Sequence, residues 1–176
     1  MSQADETSDK SVIRLGASFV TWGLGLVVFG LFLEFGIIGH YVIGANHPTG
    51  EQFLHNVTLW FGCPWTLAVY TIQLGGLAMA VFGAVYLVLA KTFPGATAGS
   101  SGRIALWLCV IALLGIFATG YVGYFVVDAI WHEFYYRPVE AGKNVWLAAQ
   151  AACLLCYFVG ASLVFQSVRK LIHTGI

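Results

Sequence analysis

Four of the five histidines, His40, His47, His55 and His132, fall at or just beyond the ends of apolar runs, in company with Glu34, Glu51, Asp128, Glu133 and Glu140. Imidazoles and carboxylates gathered at the rim of an apolar body suit three chemistries: metal ligation, axial ligation of a haem iron, and proton transfer. Asp128 and His132 are four apart, which on a helix puts both on one face, with Glu133 next to them. That spacing supplies two metal ligands, or an acid that orients an imidazole from behind; an ordinary hydrogen-bonded pair at a helix end is the competing reading. Glu34 and His40 are six apart and point in different directions on one helix. His47 and His55 flank the P-T-G-E-Q-F-L turn, placed for an axial ligand just ahead of a membrane helix.

The elements that must position these groups are membrane spans. Of 176 residues, 59% are hydrophobic and only 9% charged, and the mean hydropathy is +0.83. So little charge cannot cover a water-soluble globule. Net charge is zero with no basic block, so no nucleic-acid partner is expected. A span needs about 20 residues to cross roughly 30 Å of hydrocarbon, and four apolar segments exceed that: Leu15–Ile43, Trp65–Ala90, Ile104–Ile130 and Val145–Val168. The expected fold is an all-α, integral membrane four-helix bundle at 15–170, between polar cytoplasmic tails at 1–14 and 171–176. The K-T-F-P-G-A-T-A-G-S-S-G-R stretch from Lys91 to Arg103 reads as a solvent loop, because its backbone groups would go unpaired in lipid. Between the first two helices, Phe53, Leu54, Val57, Leu59, Trp60 and Phe61 form a short interfacial segment, and Pro64 suits the first turn of helix two.

Lys10, Arg14, Lys91, Arg103, Arg169 and Lys170 share one side of a four-span topology, whereas only Arg137 and Lys143 lie on the other. Basic residues are retained in the cytoplasm, so both termini are expected inside. The rim of histidines and acids, with Trp60, Trp65, Trp131, Tyr135 and Tyr136 as an aromatic belt, is then outside. The first eleven residues lack a basic start followed by an apolar core, so no cleaved leader is expected. Three of the four cysteines fall within apolar runs, where thiols behave as small hydrophobes. Gly75, Gly76, Ala78, Ala80, Gly83 and Ala84 in helix two and Gly115, Ala118, Gly120 and Gly123 in helix three allow close helix approach.

The stretch F-G-I-I-G-H-Y-V-I-G-A-N-H-P-T-G-E-Q-F-L-H, Phe35 to His55, resembles the end of helix one and the following loop of styrene oxide isomerases. The chain length, the four-helix layout, the G-Y-F region of helix three and Gly142 with Asn144 ahead of helix four are similar too. The resemblance implies a trimer holding haem b, with His55 as the axial ligand. It further implies ferric haem acting as a Lewis acid on an epoxide oxygen, so that an apolar aryl epoxide rearranges to an aldehyde without net redox. By the same resemblance Gln73 stands for the family's asparagine on helix two, and Tyr124 for its tyrosine on helix three. The chain departs from the pattern in running about three helical turns further before the helix-two glycines, and a shift of one residue would put Phe125 at the tyrosine's place.

The expected function is therefore a membrane isomerase of apolar small molecules, in a bacterial inner membrane. Its candidate residues are Tyr124 and Gln73 for catalysis, His55 for haem, and Asp128, His132, His47 and His40 for an additional metal at the outer face. The alternatives are a haem- or copper-binding subunit of a membrane redox complex, working with partner subunits, and a cofactor-free accessory subunit.

Overall fold

The computed structural model describes residues 3–43, 64–93, 97, 99–121 and 139–175. They form four helices: α1 (Gln3–Ile43), α2 (Pro64–Thr92), α3 (Ser100–Tyr121) and α4 (Val139–Gly175). Each is long and apolar enough to cross a bilayer, and the protein is a multi-pass integral membrane protein built as an all-α four-helix bundle. Helix α2 begins at Pro64, where the missing N–H costs nothing because a first-turn amide has no partner inside the helix. Helix α2 ends at Thr92, whose hydroxyl donates to the Val88 carbonyl at 3.0 Å, and α3 begins at Ser100, so both ends of the stretch expected as a loop, residues 91–92 and 100–103, are helical. The interfacial segment expected between the first two helices, and the last nine residues expected of helix three, lie outside the described residues.

The helices outrun the apolar segments. With 41 residues, α1 is about 61 Å long, twice the hydrocarbon thickness, so it continues into the polar stretch before Leu15. Helix α4 likewise runs to Gly175, through most of the segment read as a C-terminal tail. Basic residues mark one end of the bundle on every helix: Arg14 on α1, Lys91 on α2, Arg103 on α3 and Arg169 on α4.

Packing is uneven. α1 lies along α2 and α3 along α4, and α2 joins the two hairpins by resting on α3 and, less extensively, on α4. Among the described residues the backbones of α1 and α4 do not approach each other closely. The cross-section is thus a rhombus with α2 and α3 on its short diagonal. Phe19, Ile72, Met79, Tyr86, Cys109 and Leu113 are fully buried at its centre. Phe19 stacks on Tyr86 with ring centroids 5.7 Å apart.

The α1–α2 seam follows from three glycines spaced by seven. A Cβ on Gly16 would lie 3.0 Å from the Gly83 carbonyl oxygen, one on Gly23 2.5 Å from that of Gly76, and one on Gly30 3.5 Å from that of Val69. These three pairs define a single antiparallel register. A seven-residue repeat keeps one stripe facing its partner along the whole helix, and a stripe without side chains brings the backbones into contact. On the other side Gly102 admits α1 and α4: a Cβ there would meet the Leu15 side chain at 2.6 Å and the Ser167 hydroxyl at 3.2 Å.

Candidate functional site: a polar cluster at the far end of the α1–α2 seam

Glu34 lies twenty residues beyond Arg14 on α1, about 30 Å along the axis, which is one hydrocarbon thickness. On α2, Gln73 lies eighteen residues before Lys91, about 27 Å from it. Glu34 therefore sits at the far edge of the apolar slab, opposite the basic end, with Gln73 deeper within it. There Gln73 donates from Nε2 to Glu34 Oε2 at 2.8 Å, and the Tyr70 hydroxyl donates to Glu34 Oε1 at 3.5 Å. All three side chains are half-buried.

The pair meets because of how side chains leave a helix. In the register set by the glycines, Gln73 is level with position 26 of α1, eight residues or about 12 Å from Glu34. Side chains tilt toward the N-terminus of their own helix. In antiparallel neighbours Glu34 therefore leans toward the basic end and Gln73 away from it, so the two reach toward each other. Between them stands Gly30, where an added Cβ would lie 2.6 Å from Gln73 Cγ. The missing side chain at Gly30 is the space the glutamine occupies.

The arrangement has stated chemical capacity. As a carboxylate, Glu34 accepts from both neighbours, while Gln73 keeps a second Nε2 proton and its carbonyl oxygen. An ionisable group at this depth is costly unless it is paired or faces a cavity, and the two donors supply the pairing.

Other polar groups share the level. Gln150 on α4, nineteen residues before Arg169, lies about 28 Å from it and is only 3% exposed. Thr119 on α3 bonds back to the Gly115 carbonyl at 2.8 Å. Tyr157 reaches from α4 to the Gly75 carbonyl oxygen of α2 at 2.8 Å, two residues from Gln73, and so ties the second hairpin to the helix that carries the site.

Of the residues expected from sequence to do chemistry, Gln73 is in this cluster. His40 lies in α1, six residues past Glu34, with its side chain outside the described residues. His47, His55, Tyr124, Asp128 and His132 lie outside the described residues. Among the described residues no group of three or more His, Cys, Asp or Glu side chains is placed to hold a metal ion. Cys109, Cys153 and Cys156 are free thiols, the first buried against Gly160. Sequence reading missed Tyr70 as a partner and missed Gln150. An acid, a phenol and two amides inside apolar runs, all in the half away from the basic end, were the available signal. Compared with protein-family models, with curated proteins and with solved structures, the chain matches none.

Proposed function

We propose that this protein takes an apolar small molecule from the bilayer and isomerises it at the far end of the α1–α2 seam, the substrate being an aryl epoxide and the product an aldehyde. The observation that carries this reading is Gln73 bonded to Glu34, with Tyr70 beside them, one hydrocarbon thickness from the basic end. The resemblance of Phe35–His55 to styrene oxide isomerases, in which Gln73 takes the place of an asparagine, supports it independently.

In the reaction the benzylic C–O bond breaks, a hydride moves from the neighbouring carbon to the benzylic one, and the oxygen closes a C=O on the carbon that lost it. Atoms and electrons balance within the substrate, so no oxidant or reductant is consumed. Charge separates as the bond breaks, and fixed dipoles aimed at developing charge are the strongest aid a protein gives. The free Nε2 proton of Gln73 suits the oxygen as it becomes negative, and the Glu34 carboxylate suits the carbon as it becomes positive. Tyr70 orients the carboxylate. Apolar helix faces hold the aryl group and keep water from the cation.

Haem b belongs to the proposal through His55. Ferric haem, when bound, supplies a Lewis acid for the epoxide oxygen. A porphyrin needs an apolar slot, and the α1–α2 seam, closed at backbone contact through Gly16, Gly23 and Gly30, has no room for one between those helices. His55 would hold the iron, in keeping with the resemblance, which also implies a homotrimer, and we place the protein in a bacterial inner membrane with both termini inside.

The test is an absorption spectrum of the detergent-purified protein, followed by feeding styrene oxide and measuring aldehyde. A Soret band lost in His55→Ala, with turnover reduced about 100-fold or more in Glu34→Gln and Gln73→Leu, is expected. A colourless, inert protein overturns the reading. A Soret band without turnover, in a protein that co-purifies with other membrane subunits, replaces it with the redox-subunit alternative.

A further inference from the structure

We propose that the open groove on the face of α1 at the basic end, bordered by α3 at Trp22, is a binding site for one anionic glycerophospholipid. Arg14, Ala17, Ser18, Thr21 and Trp22 line an open groove of about 440 Å³. Arg14, Ser18, Thr21 and Trp22 stand at steps of four, seven and eight residues, so they share one face of α1. That face is not filled by the protein. α1 and α3 touch only lightly, and nothing lies within 4 Å of the space beside Gly25, the next small position along.

The groove has a wall and a polarity. Trp22 rests edge-on against Trp107 of α3 with centroids 6.1 Å apart, and seven residues deeper Phe29 meets Phe117 at 5.1 Å. From Trp22 at the groove, the two aromatic pairs continue along the α1–α3 contact for about 10 Å. At its mouth Arg14 is exposed, as is Arg103 in the first turn of α3. Between mouth and wall come the hydroxyls. Ser18 donates to the Arg14 carbonyl at 2.8 Å, whereas Thr21, exposed and about 10 Å below Arg14, has no hydrogen-bond partner among the described residues.

A hydroxyl facing hydrocarbon without a partner is unfavourable. The order of groups along the groove, cation, then hydroxyl donor, then aromatic wall, matches the order along a phospholipid: phosphate, ester carbonyl, acyl chain. Basic pockets between membrane helices bind anionic head groups, and a guanidinium pairs with a phosphate through two parallel hydrogen bonds. The lipid's phosphate sits on Arg14, an ester carbonyl accepts from Thr21, and one acyl chain lies along Trp22, Trp107 and Phe29.

Native mass spectrometry of the full chain with equal additions of phosphatidylglycerol and phosphatidylcholine tests this. Preferential retention of one phosphatidylglycerol is expected, falling about fivefold in Arg14→Gln, the weight of one basic residue at a membrane surface. Arg14→Lys should keep most of the preference, and Thr21→Val should weaken both lipids. Lys91→Gln, which removes an exposed cation at the same end but outside the groove, should change nothing. Equal retention of the two lipids, or an equal loss in Lys91→Gln, overturns the proposal. So does a Trp22→Cys disulfide dimer whose yield is unaffected by phosphatidylglycerol, because a second copy then covers the face.

Discussion

The two hairpins of this bundle are closed by different means. In α1–α2, glycine faces glycine or bare backbone at Gly16–Gly83 and Gly23–Gly76. In α3–α4, glycine faces a thiol: Gly160 against Cys109 Sγ at 2.8 Å and Gly115 against Cys153 Sγ at 2.9 Å from an added Cβ. Leu87 and Val20 side chains also border the first seam, but its nearest atoms are mostly backbone, which cannot yield, whereas a sulfur is polarizable and its side chain can rotate. The rigid hairpin is the one that ends in the Glu34–Gln73–Tyr70 cluster, and a fixed helix spacing is what a hydrogen bond between helices requires. The softer hairpin contributes at a distance, through the Tyr157 hydroxyl on the Gly75 carbonyl.

Substitution at the centre of the rigid seam should break the comparison most severely. Gly76→Val pushes a branched side chain into the Gly23 carbonyl and the Val27 amide, and about 3 kcal/mol or more of destabilisation is expected, at the upper end of overpacking costs. Thermal unfolding in detergent measures it, and near-neutral behaviour would mean that the backbones do not touch. Gly160→Ala in the soft seam should cost about 1–2 kcal/mol, because Cys109 Sγ can move but the Ala105 carbonyl oxygen, 3.2 Å from the added Cβ, cannot; pairing it with Cys109→Ala should recover much of that loss.

Gly30→Ala should separate site from scaffold. Its Cβ meets only the flexible Gln73 side chain and, at 3.5 Å, a carbonyl in ordinary contact, so stability should fall by no more than about 1 kcal/mol, the scale of one polar contact between membrane helices. Styrene oxide turnover should fall about tenfold or more as the glutamine leaves Glu34, and a double-mutant cycle with Gln73→Ala should be non-additive. Tyr157→Phe should cost about 0.6 kcal/mol, the average for such a bond in a membrane bundle, with the helices unmoved. Gly25→Ala, with open space around it, is the smallest effect: unchanged or stabilised by up to about 1 kcal/mol from helix propensity. Destabilisation there would show that something covers this face.

Much of the architecture could be read before any coordinates. Four apolar runs of sufficient length, separated by Pro64 and by the glycine-serine loop, dictate four spans, because lipid offers no partner to an unpaired backbone amide. Basic residues at one end of every span indicate approximate depth along each helix, which puts Glu34 and Gln73 in the half of the apolar slab away from that end. Reading Glu34 against His40 on its own helix led away from its true partners, which stand 36 and 39 residues on, at Tyr70 and Gln73.

What the chain determined by itself is therefore everything that depends on one helix and its solvent: the number of spans, their approximate limits, the end that carries charge, and the stripe of glycines. What only the tertiary structure decided is lateral. Helices in lipid have no hydrophobic gradient to choose a neighbour by, so the choice falls to shape. The seven-residue glycine stripe of α1 seats on α2 in one register, and that register alone brings an acid, an amide and a phenol from two helices to a single point.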